Sequence, residues 1–509
     1  MAIEKVQARL SELVAQQGPG LLWDRDWLED LMKQAFPGEY EVEISALLLA
    51  AHLGEIGRLQ ESENKKVNEK FLDLISRELV EHGGLDEELA RWAVDCWVKA
   101  LGIEPGPWGL EPPDEDRVKL VSSREEFIAA ADQPASRKIV KLAPGDYLLD
   151  EPLVLDQPLT VWGSQDGETR LLVSSGDAVL RLQEGQRWLF KDVHFIFQGS
   201  GGGDVVAVED GYAVFERCYF TGGKLDRESM AGGDGLCYKN SSRGIAAGCE
   251  TRDNDKSGIT VMDEAFVMLK NNTCRGNNHA GIIFVGESGG IAQENQCQEN
   301  GRAGISVISN SSPVLEKNRC SRNKEAGIVF FEEARGIVRD NHCFQNQTDG
   351  ITVLEHSNPV LERNQCYENR ETGIALLSRG GVLVQENRCY NNGWSGISVQ
   401  EKARPVLEQN ECRLNGEAGI SYFDSSGGIA LSNRCQENTA SGIAVKENAT
   451  PCLQENTCQQ NREFGLAYYD KASGVARSND FPGNSMGSLF LSGKAAPLLE
   501  QNSAGAAKD

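Results

Sequence analysis

The chain has no basic excess, no long apolar run, and only 6 histidines, 6 methionines and 16 prolines in 509 residues. Lys and Arg number 51 against 76 Asp and Glu, a formal net charge of −25. That balance argues against a protein that wraps nucleic acid or lies on an anionic membrane. Residues 1–110 hold 21 acids and 11 bases, so both ends of the chain share the deficit of positive charge. No stretch is long and apolar enough to span a bilayer. Residues 1–17 read as a charged amphipathic helix and not as the apolar core of a signal peptide. The 14 cysteines include no C-x-x-C pair, and no phosphate-binding glycine loop stands ahead of a helix. The expectation is a chain with no metal and no cofactor.

What the chain does have is a repeat. Gly258-Ile259 returns at Gly281-Ile282, Gly304-Ile305, Gly327-Ile328, Gly350-Ile351, Gly373-Ile374, Gly396-Ile397, Gly419-Ile420 and Gly442-Ile443. Gly235-Leu236 and Gly465-Leu466 extend the row at the same 23-residue step, and Gly487 follows after 22. Nine cysteines from Cys274 to Cys458 keep the same period, with Phe481 in the next place. An asparagine stands two residues before each of these cysteines and another three residues after it. A fixed period of this size means a solenoid, each unit burying its apolar face against its neighbours. Stacked inward amides hydrogen-bond to their own copies above and below, which satisfies polar groups that are costly to bury alone.

A leucine-rich repeat is the rival for such a period, but it needs Leu-x-x-Leu-x-Leu spacing and a helical piece per unit. Here each unit breaks into short β-prone pieces separated by Asn, Gly, Ser or Pro, none long enough for an ordinary helix. The fold class expected is therefore an all-β right-handed parallel β-helix of 23-residue coils, preceded by a small all-α bundle. A finer period doubles the unit. Pro313, Pro359, Pro405, Pro451 and Pro497 are 46 apart, and Gly290, Gly336, Gly428 and Gly474 hold the alternate places, with Val382 the exception. Aromatics or Leu in the glycine coils (Phe284, Phe330, Leu376, Tyr422, Tyr468) alternate with Val307, Val353, Val399 and Val445, so large and small core residues interlock.

The domain plan follows. Residues 1–102 form a helical bundle, with helices expected at 3–17, 24–35, 41–53, 66–82 and 86–101. Residues 103–117, with four prolines and a run of acids, read as a linker. Residues 118–234 open the β-helix, with a short capping helix at 123–131 and a glycine-rich loop at 221–235 that bulges from the stack. Regular coils fill 235–502, and 503–509 are a tail. Stacked cysteines have parallel Cβ vectors that do not face one another, so they read as reduced core thiols of a cytoplasmic protein.

The pattern G-I-x-V … P-V-L-E-x-N-x-C-x-x-N resembles the parallel β-helix repeats of the pectate-lyase superfamily, which includes carbohydrate lyases and epimerases as well as non-enzymes. The residues Leu21-Leu22-Trp23-Asp24-Arg25 and Gly84 to Val94 resemble a helical module placed ahead of effector or sensor domains in bacterial multidomain proteins, which implies an adaptor. Against catalysis, the Asn-Thr-Asp and Gly-His-Gly strings of polygalacturonase-like relatives and the Asp-Pro-His-Asp string of epimerase relatives are absent. Lyases of this fold use a basic residue to take the proton beside the uronate, with calcium held by acids. The nearest approach here is the turn row Lys256, His279, Arg302 and Glu325, the weak catalytic candidates. The same row continues with Thr348, Glu371, Trp394, Glu417, Ala440 and Glu463, as a variable solvated turn does.

An apolar row gives the binding candidates Val285, Ile308, Phe331, Leu354, Leu377, Phe423 and Tyr469, a stripe expected to face outward or to tuck into a bend. The function expected is a non-catalytic cytoplasmic scaffold acting on a protein partner, with no nucleic acid and no membrane. The alternative is a carbohydrate-binding or carbohydrate-modifying protein. Acids and a base converging on one groove would mark the second; an apolar or shape-complementary face would mark the first.

Overall fold

In the computed structural model, residues 118–132, 139–164 and 167–503 are described, and ahead of them 2–17, 66–68, 87–101, 104–106 and single positions between 28 and 79. Two units divide the chain, Met1–Val118 and Lys119–Asp509. In the first, the helices Ala2–Gln17 and Glu87–Ala100 share a core of Val6, Leu10, Leu13, Ala93, Val94 and Trp97. Trp97 Nε1 donates to the Leu47 carbonyl at 3.0 Å. The strands Lys66–Asn68 and Glu104–Gly106 pair in parallel. Two expectations are corrected here: residue 66 opens a strand and not a helix, and the start of the proline-rich stretch is ladder and not linker. The Leu21–Arg25 motif and residues 107–117 lie outside the described residues, as does most of the helices expected at 24–35 and 41–53.

The second unit is a right-handed parallel β-helix of three sheets. In one coil, Ile305–Ile308 joins the Ile sheet, Val314–Glu316 the Pro sheet and Arg319–Ser321 the Cys sheet. The Ile sheet has 15 strands and the Cys sheet 14. Registers follow the sequence repeat residue for residue: Ile305 pairs with Ile328, Val314 with Ile337 and Cys320 with Cys343. Three corners turn each coil, through left-handed residues such as Ser309 (φ 63), Lys317 (φ 52) and Arg322 (φ 54).

Asparagines lock two of those corners. Asn364 Nδ2 donates to Asn387 Oδ1 at 2.9 Å and to the Val338 carbonyl at 2.8 Å, while its backbone N–H also reaches Asn387 Oδ1 at 2.9 Å. Asn346 repeats the arrangement on the other side of the Cys sheet, with Asn369 and the Cys320 carbonyl. The cysteine row points inward, and all fourteen cysteines are unbridged. Burial pushes the Cys366 and Cys458 thiols well above their ordinary value, so they pack as small neutral groups. Phe284, Val307, Phe330, Val353 and Tyr422 are fully buried, so the alternation of large and small runs down the core.

The first coil is closed by the helix Arg124–Ala131. Ser123 is its N-cap and accepts from the Glu126 N–H, and Glu126 Oε2 accepts in return from the Ser122 N–H at 2.8 Å. Its buried Phe127 meets Tyr147 edge to face at 6.2 Å. The opening coils carry a denser aromatic core, with Phe190 stacked on Phe215 and Phe195 on Phe220.

Replacing Asn364 with Ala strips the acceptor from the Asn341 N–H and side-chain amide, both at 3.0 Å, and a donor from Asn387. At ~1–3 kcal/mol per stranded group, three groups give about 3–9 kcal/mol, and the low end is expected because the Asn341 amide keeps the Leu315 carbonyl and Asn387 Oδ1 keeps the Asn364 N–H. Exposed Gln347→Ala is expected to change stability by no more than ~0.5 kcal/mol in the same thermal melts.

Candidate functional site

The outer face of the Ile sheet forms a trough. Alternation turns Thr260, Ser306, Thr352, Ala375, Ser398, Ser421 and Ala444 outward, between inward partners such as Ile397 and Val399. Outward residues on an open sheet are ordinarily exposed, yet Thr260, Ala375, Ser398, Ser421 and Ala444 are buried. They are short side chains set between two taller rows, which makes them a floor, interrupted by the larger Ile283 and Val329 in the same row.

One wall is the turn row. Lys256, His279, Arg302 and Glu325 stack coil on coil, the N–H groups of His279, Arg302 and Glu325 each donating to the carbonyl of the preceding member of the row at 3.0–3.2 Å. The other wall is the apolar row: Val285, Ile308, Phe331, Leu354, Leu377, Phe423 and Tyr469 are all half-buried. Side chains tie walls to floor, with Gln400 Nε2 donating to Ser398 Oγ at 2.7 Å and Ser395 Oγ lying 2.6 Å from Ser421 Oγ. Lys446 sits over the rings of both Phe423 and Tyr469, at 5.0 and 5.9 Å.

At the N-terminal end of the trough the loop 221–235 crosses the stack as a strap. It pairs antiparallel with Gly203, through Gly203 N–H to the Lys224 carbonyl at 2.6 Å and the reverse bond at 2.9 Å. The crossing is tight: at Gly232 (φ 68) a Cβ would lie 2.4 Å from the Gly203 nitrogen. Lys256 Nζ donates to the Met230 carbonyl at 2.7 Å and holds the strap down.

Two buried carboxylates meet there. Asp204 Oδ1 accepts the Asp234 N–H at 3.0 Å, and its Oδ2 lies 2.9 Å from Lys239 Nζ. Asp234 Oδ1 accepts the Ser257 N–H at 2.8 Å. Burial first, and then the Asp204 charge, push Asp234 up to about 7. His279 moves the other way: burial, then Arg302 and Lys256 in turn, hold it below 6.5. Arg302 is exposed and makes no ion pair among the described residues. Five coils from Asp234, Asp349 occupies the equivalent place. Burial raises it to about 6, against hydrogen bonds from Thr372 N–H and Thr352 Oγ1, both at 2.9 Å.

The structure thus brings Lys256, His279, Arg302 and Glu325 together and sets them across the trough from the apolar candidates. Sequence reasoning missed Asp204, Asp234, Lys239 and Asp349. A signal was present: Asp234 and Asp349 precede the repeat glycine, where the coils from Gly258 to Gly442 otherwise hold Ala, Ser or Thr. No three His, Cys, Asp or Glu side chains among the described residues converge to hold a metal ion. The calcium implied by the family resemblance has no donor set there, and no step is routed through it. A cavity of about 260 Å³ lined by Phe481, Leu489, Leu499 and Asn502 lies at the last coil, away from the trough.

A right-handed parallel solenoid with an open lateral trough is the class these features define. The family described as "Right handed beta helix region" matches residues 180–289, 204–366 and 357–504, which together exceed half of the chain, and the protein belongs to it. No curated protein matches. Among solved structures, the chain is similar to the periplasmic alginate epimerase AlgG, at 14% identity and TM-score 0.36, covering 69% of this chain and 77% of that one. It is similar to the A-module of the Azotobacter vinelandii mannuronan C-5 epimerase AlgE6, at 13% identity and TM-score 0.32, covering 76% and 96%. A third is the catalytic domain of a GH87 α-1,3-glucanase, at 11% identity and TM-score 0.37, covering 78% and 68%. At these values the likeness is one of fold.

The expectation of a non-catalytic scaffold with a helical adaptor is corrected. The side chains of this chain overturn it: Lys256, His279, Arg302 and Glu325 stack along the trough beside the buried carboxyl of Asp234, where a plain apolar docking face was expected.

Phe330 and Phe331 are neighbours on opposite faces, which makes a direct check of the trough wall. Phe330→Ala is expected to cost about 3–5 kcal/mol as a core truncation. Phe331→Ser should cost no more than ~1 kcal/mol. A large drop in melting temperature for the second would mean that its ring belongs to the core and that the wall is misassigned.

Proposed function

We propose that the protein acts on an acidic polysaccharide laid along the trough, abstracting the proton beside the carboxylate of a uronate residue. The observation that carries this reading is the stacked trio Lys256, His279 and Arg302, a neutral imidazole between two cations. With His279 held below 6.5, its ring is unprotonated near neutral pH and accepts the proton. Arg302, without an ion pair of its own, and Lys256 hold the substrate carboxylate and stabilise the charge that develops on it. Asp234, which keeps its proton up to about 7, is the acid of the site. The proton leaves carbon for His279. The electron pair then either expels the neighbouring glycosidic oxygen, protonated by Asp234, or takes a proton back at the same carbon. Both outcomes begin with the same deprotonation. Fourteen unbridged cysteines support a cytoplasmic setting for this chemistry.

Incubation with uronate-containing polysaccharides, both polyuronates and mixed chains, in heavy water tests it, reading deuterium at the carbon beside the carboxylate and ultraviolet absorbance of an unsaturated product. Activity should be bell-shaped in pH. It rises as His279 loses its proton, at an inflection below 6.5, and falls as Asp234 loses its own near 7. Arg302→Gln should move the rising limb to higher pH, because a cation that disfavours the imidazolium is gone. Asp204→Asn should move the falling limb to lower pH, because a charge that holds the proton on Asp234 is gone. Limbs that stay in place in both variants would count against these assignments, and exchange that survives His279→Ala would end the proposal.

A further inference from the structure

The trough does not keep one sign of charge along its length. Its basic residues are at the strap end, and beyond Arg302 the turn row reads Glu325, Thr348, Glu371, Trp394, Glu417, Ala440, Glu463. Trp394 is the exception in that row. Its side chain is 47% exposed, making it the one exposed tryptophan among the described residues. Its ring has no aromatic or cationic partner there, whereas Phe423 and Tyr469 across the trough lie under Lys446 and Tyr469 also meets Phe490. Nothing in the fold requires a large ring at a solvated turn where other coils place charges or small residues.

The floor beside it is polar and built. Ser398 and Ser421 are outward-facing yet buried, and Gln400 donates to Ser398. Gln400 therefore presents its remaining amide groups to the trough. Glu371 and Glu417 flank Trp394 in the coils before and after, linked by backbone bonds of 2.9 and 3.1 Å. Glu371 makes no ion pair among the described residues.

From this geometry we infer a second binding subsite that takes an uncharged hexose of the same polysaccharide. The ring of Trp394 supplies an apolar face for the sugar's C–H side, and Gln400, positioned by its bond to Ser398, and the glutamates supply acceptors and donors for its hydroxyls. A uronate is excluded, because its carboxylate would lie against Glu371 and Glu417 in a partly desolvated trough. His279 and Trp394 are 115 residues apart, which is five 23-residue coils. At ~4.8 Å per coil that is roughly 24 Å, so one extended chain of several sugars reaches both. The substrate class this implies is a heteropolysaccharide with uronates spaced by uncharged sugars, and not a polyuronate. The inference rests on the proposed polysaccharide reading of the trough and adds to it the sugar recognised away from the reacting residue.

Calorimetric titration of the full chain with two oligosaccharides of equal length, each long enough to span the five coils, tests the subsite. One is an oligouronate and the other alternates uronate with uncharged hexose. The mixed probe should bind about tenfold more tightly to the wild type. Trp394→Ala should abolish that preference, and Trp394→Tyr should keep most of it. The mixed probe should also shift the wild-type tryptophan fluorescence, and the oligouronate should not, which needs no variant. Equal or tighter binding of the oligouronate, an undiminished preference in Trp394→Ala, or no binding of either probe overturns the inference. Deuterium exchange measured in the same samples separates it from the proposed reaction. A Trp394-dependent preference without exchange sinks proton abstraction and leaves the subsite standing, while exchange without the preference does the reverse.

Discussion

The stacked asparagine amide is the interaction on which the rest of the β-helix depends. Most corners beside the Cys sheet turn through a non-glycine residue in the left-handed region, which is unfavourable for most side chains; Gly248, Gly276 and Gly483 are the exceptions in the regular coils. The neighbouring asparagine supplies what that turn lacks: a carbonyl oxygen for the N–H of the coil before and a donor to the coil after. Because the same oxygen takes both a backbone and a side-chain hydrogen from its neighbour, a slip of one residue would strand several groups per coil. Register is thus fixed at the corners, and the strands can be as short as three residues.

With register fixed from inside, the outer faces are free to vary, and the trough shows how far they do. The net charge of −25 suggests a uniformly acidic rod. Some of that charge has a structural use at the corner beside the apolar wall, where Asp424, Glu447 and Asp470 accept backbone N–H groups of the preceding coil. The cations Lys256 and Arg302 are not cancelled by this row. Local chemistry in a solenoid is set by which rows share a face, and bulk composition averages over rows that never meet.

Legibility in the sequence followed the same division. The asparagine, cysteine and Gly-Ile rows could be read because inward positions face identical neighbours in every coil, and a period of 23 repeats what the core demands. The stacking of Lys256, His279, Arg302 and Glu325 was readable for the same reason, since any row in register must align. What was not readable was the meaning of deviation. Nothing in the period marks Asp234 and Asp349 as more than two departures before a glycine, and it is burial, with the Asp204 charge beside Asp234, that raises their affinities for protons. The strap at 221–235 was legible as an insertion but not as a cover over Asp204, because its partner Gly203 lies in a coil outside the regular repeat. In the helical unit, Glu104–Gly106 pairs with Lys66–Asn68 across a distance in sequence that local propensity cannot see.

The alternation of proline and glycine coils has a consequence for how such a chain can change length. Gly336, Gly428 and Gly474 adopt positive φ against the carbonyls of Pro313, Pro405 and Pro451, where a Cβ would come within 2.2–2.3 Å. These three glycine coils are thereby cut to fit a proline coil beneath them, although Gly290 rests on Val267 and Val382 stands over Pro359, and the larger core residue of one coil fits the valine of the other. The array has a parity. Duplication or loss of 46 residues leaves every junction of the existing kind, whereas gain or loss of a single 23-residue coil sets like upon like at the seam. Lineages of this chain should therefore differ in length by even numbers of coils, a constraint on inheritance written by the contact of one carbonyl with one missing methyl group.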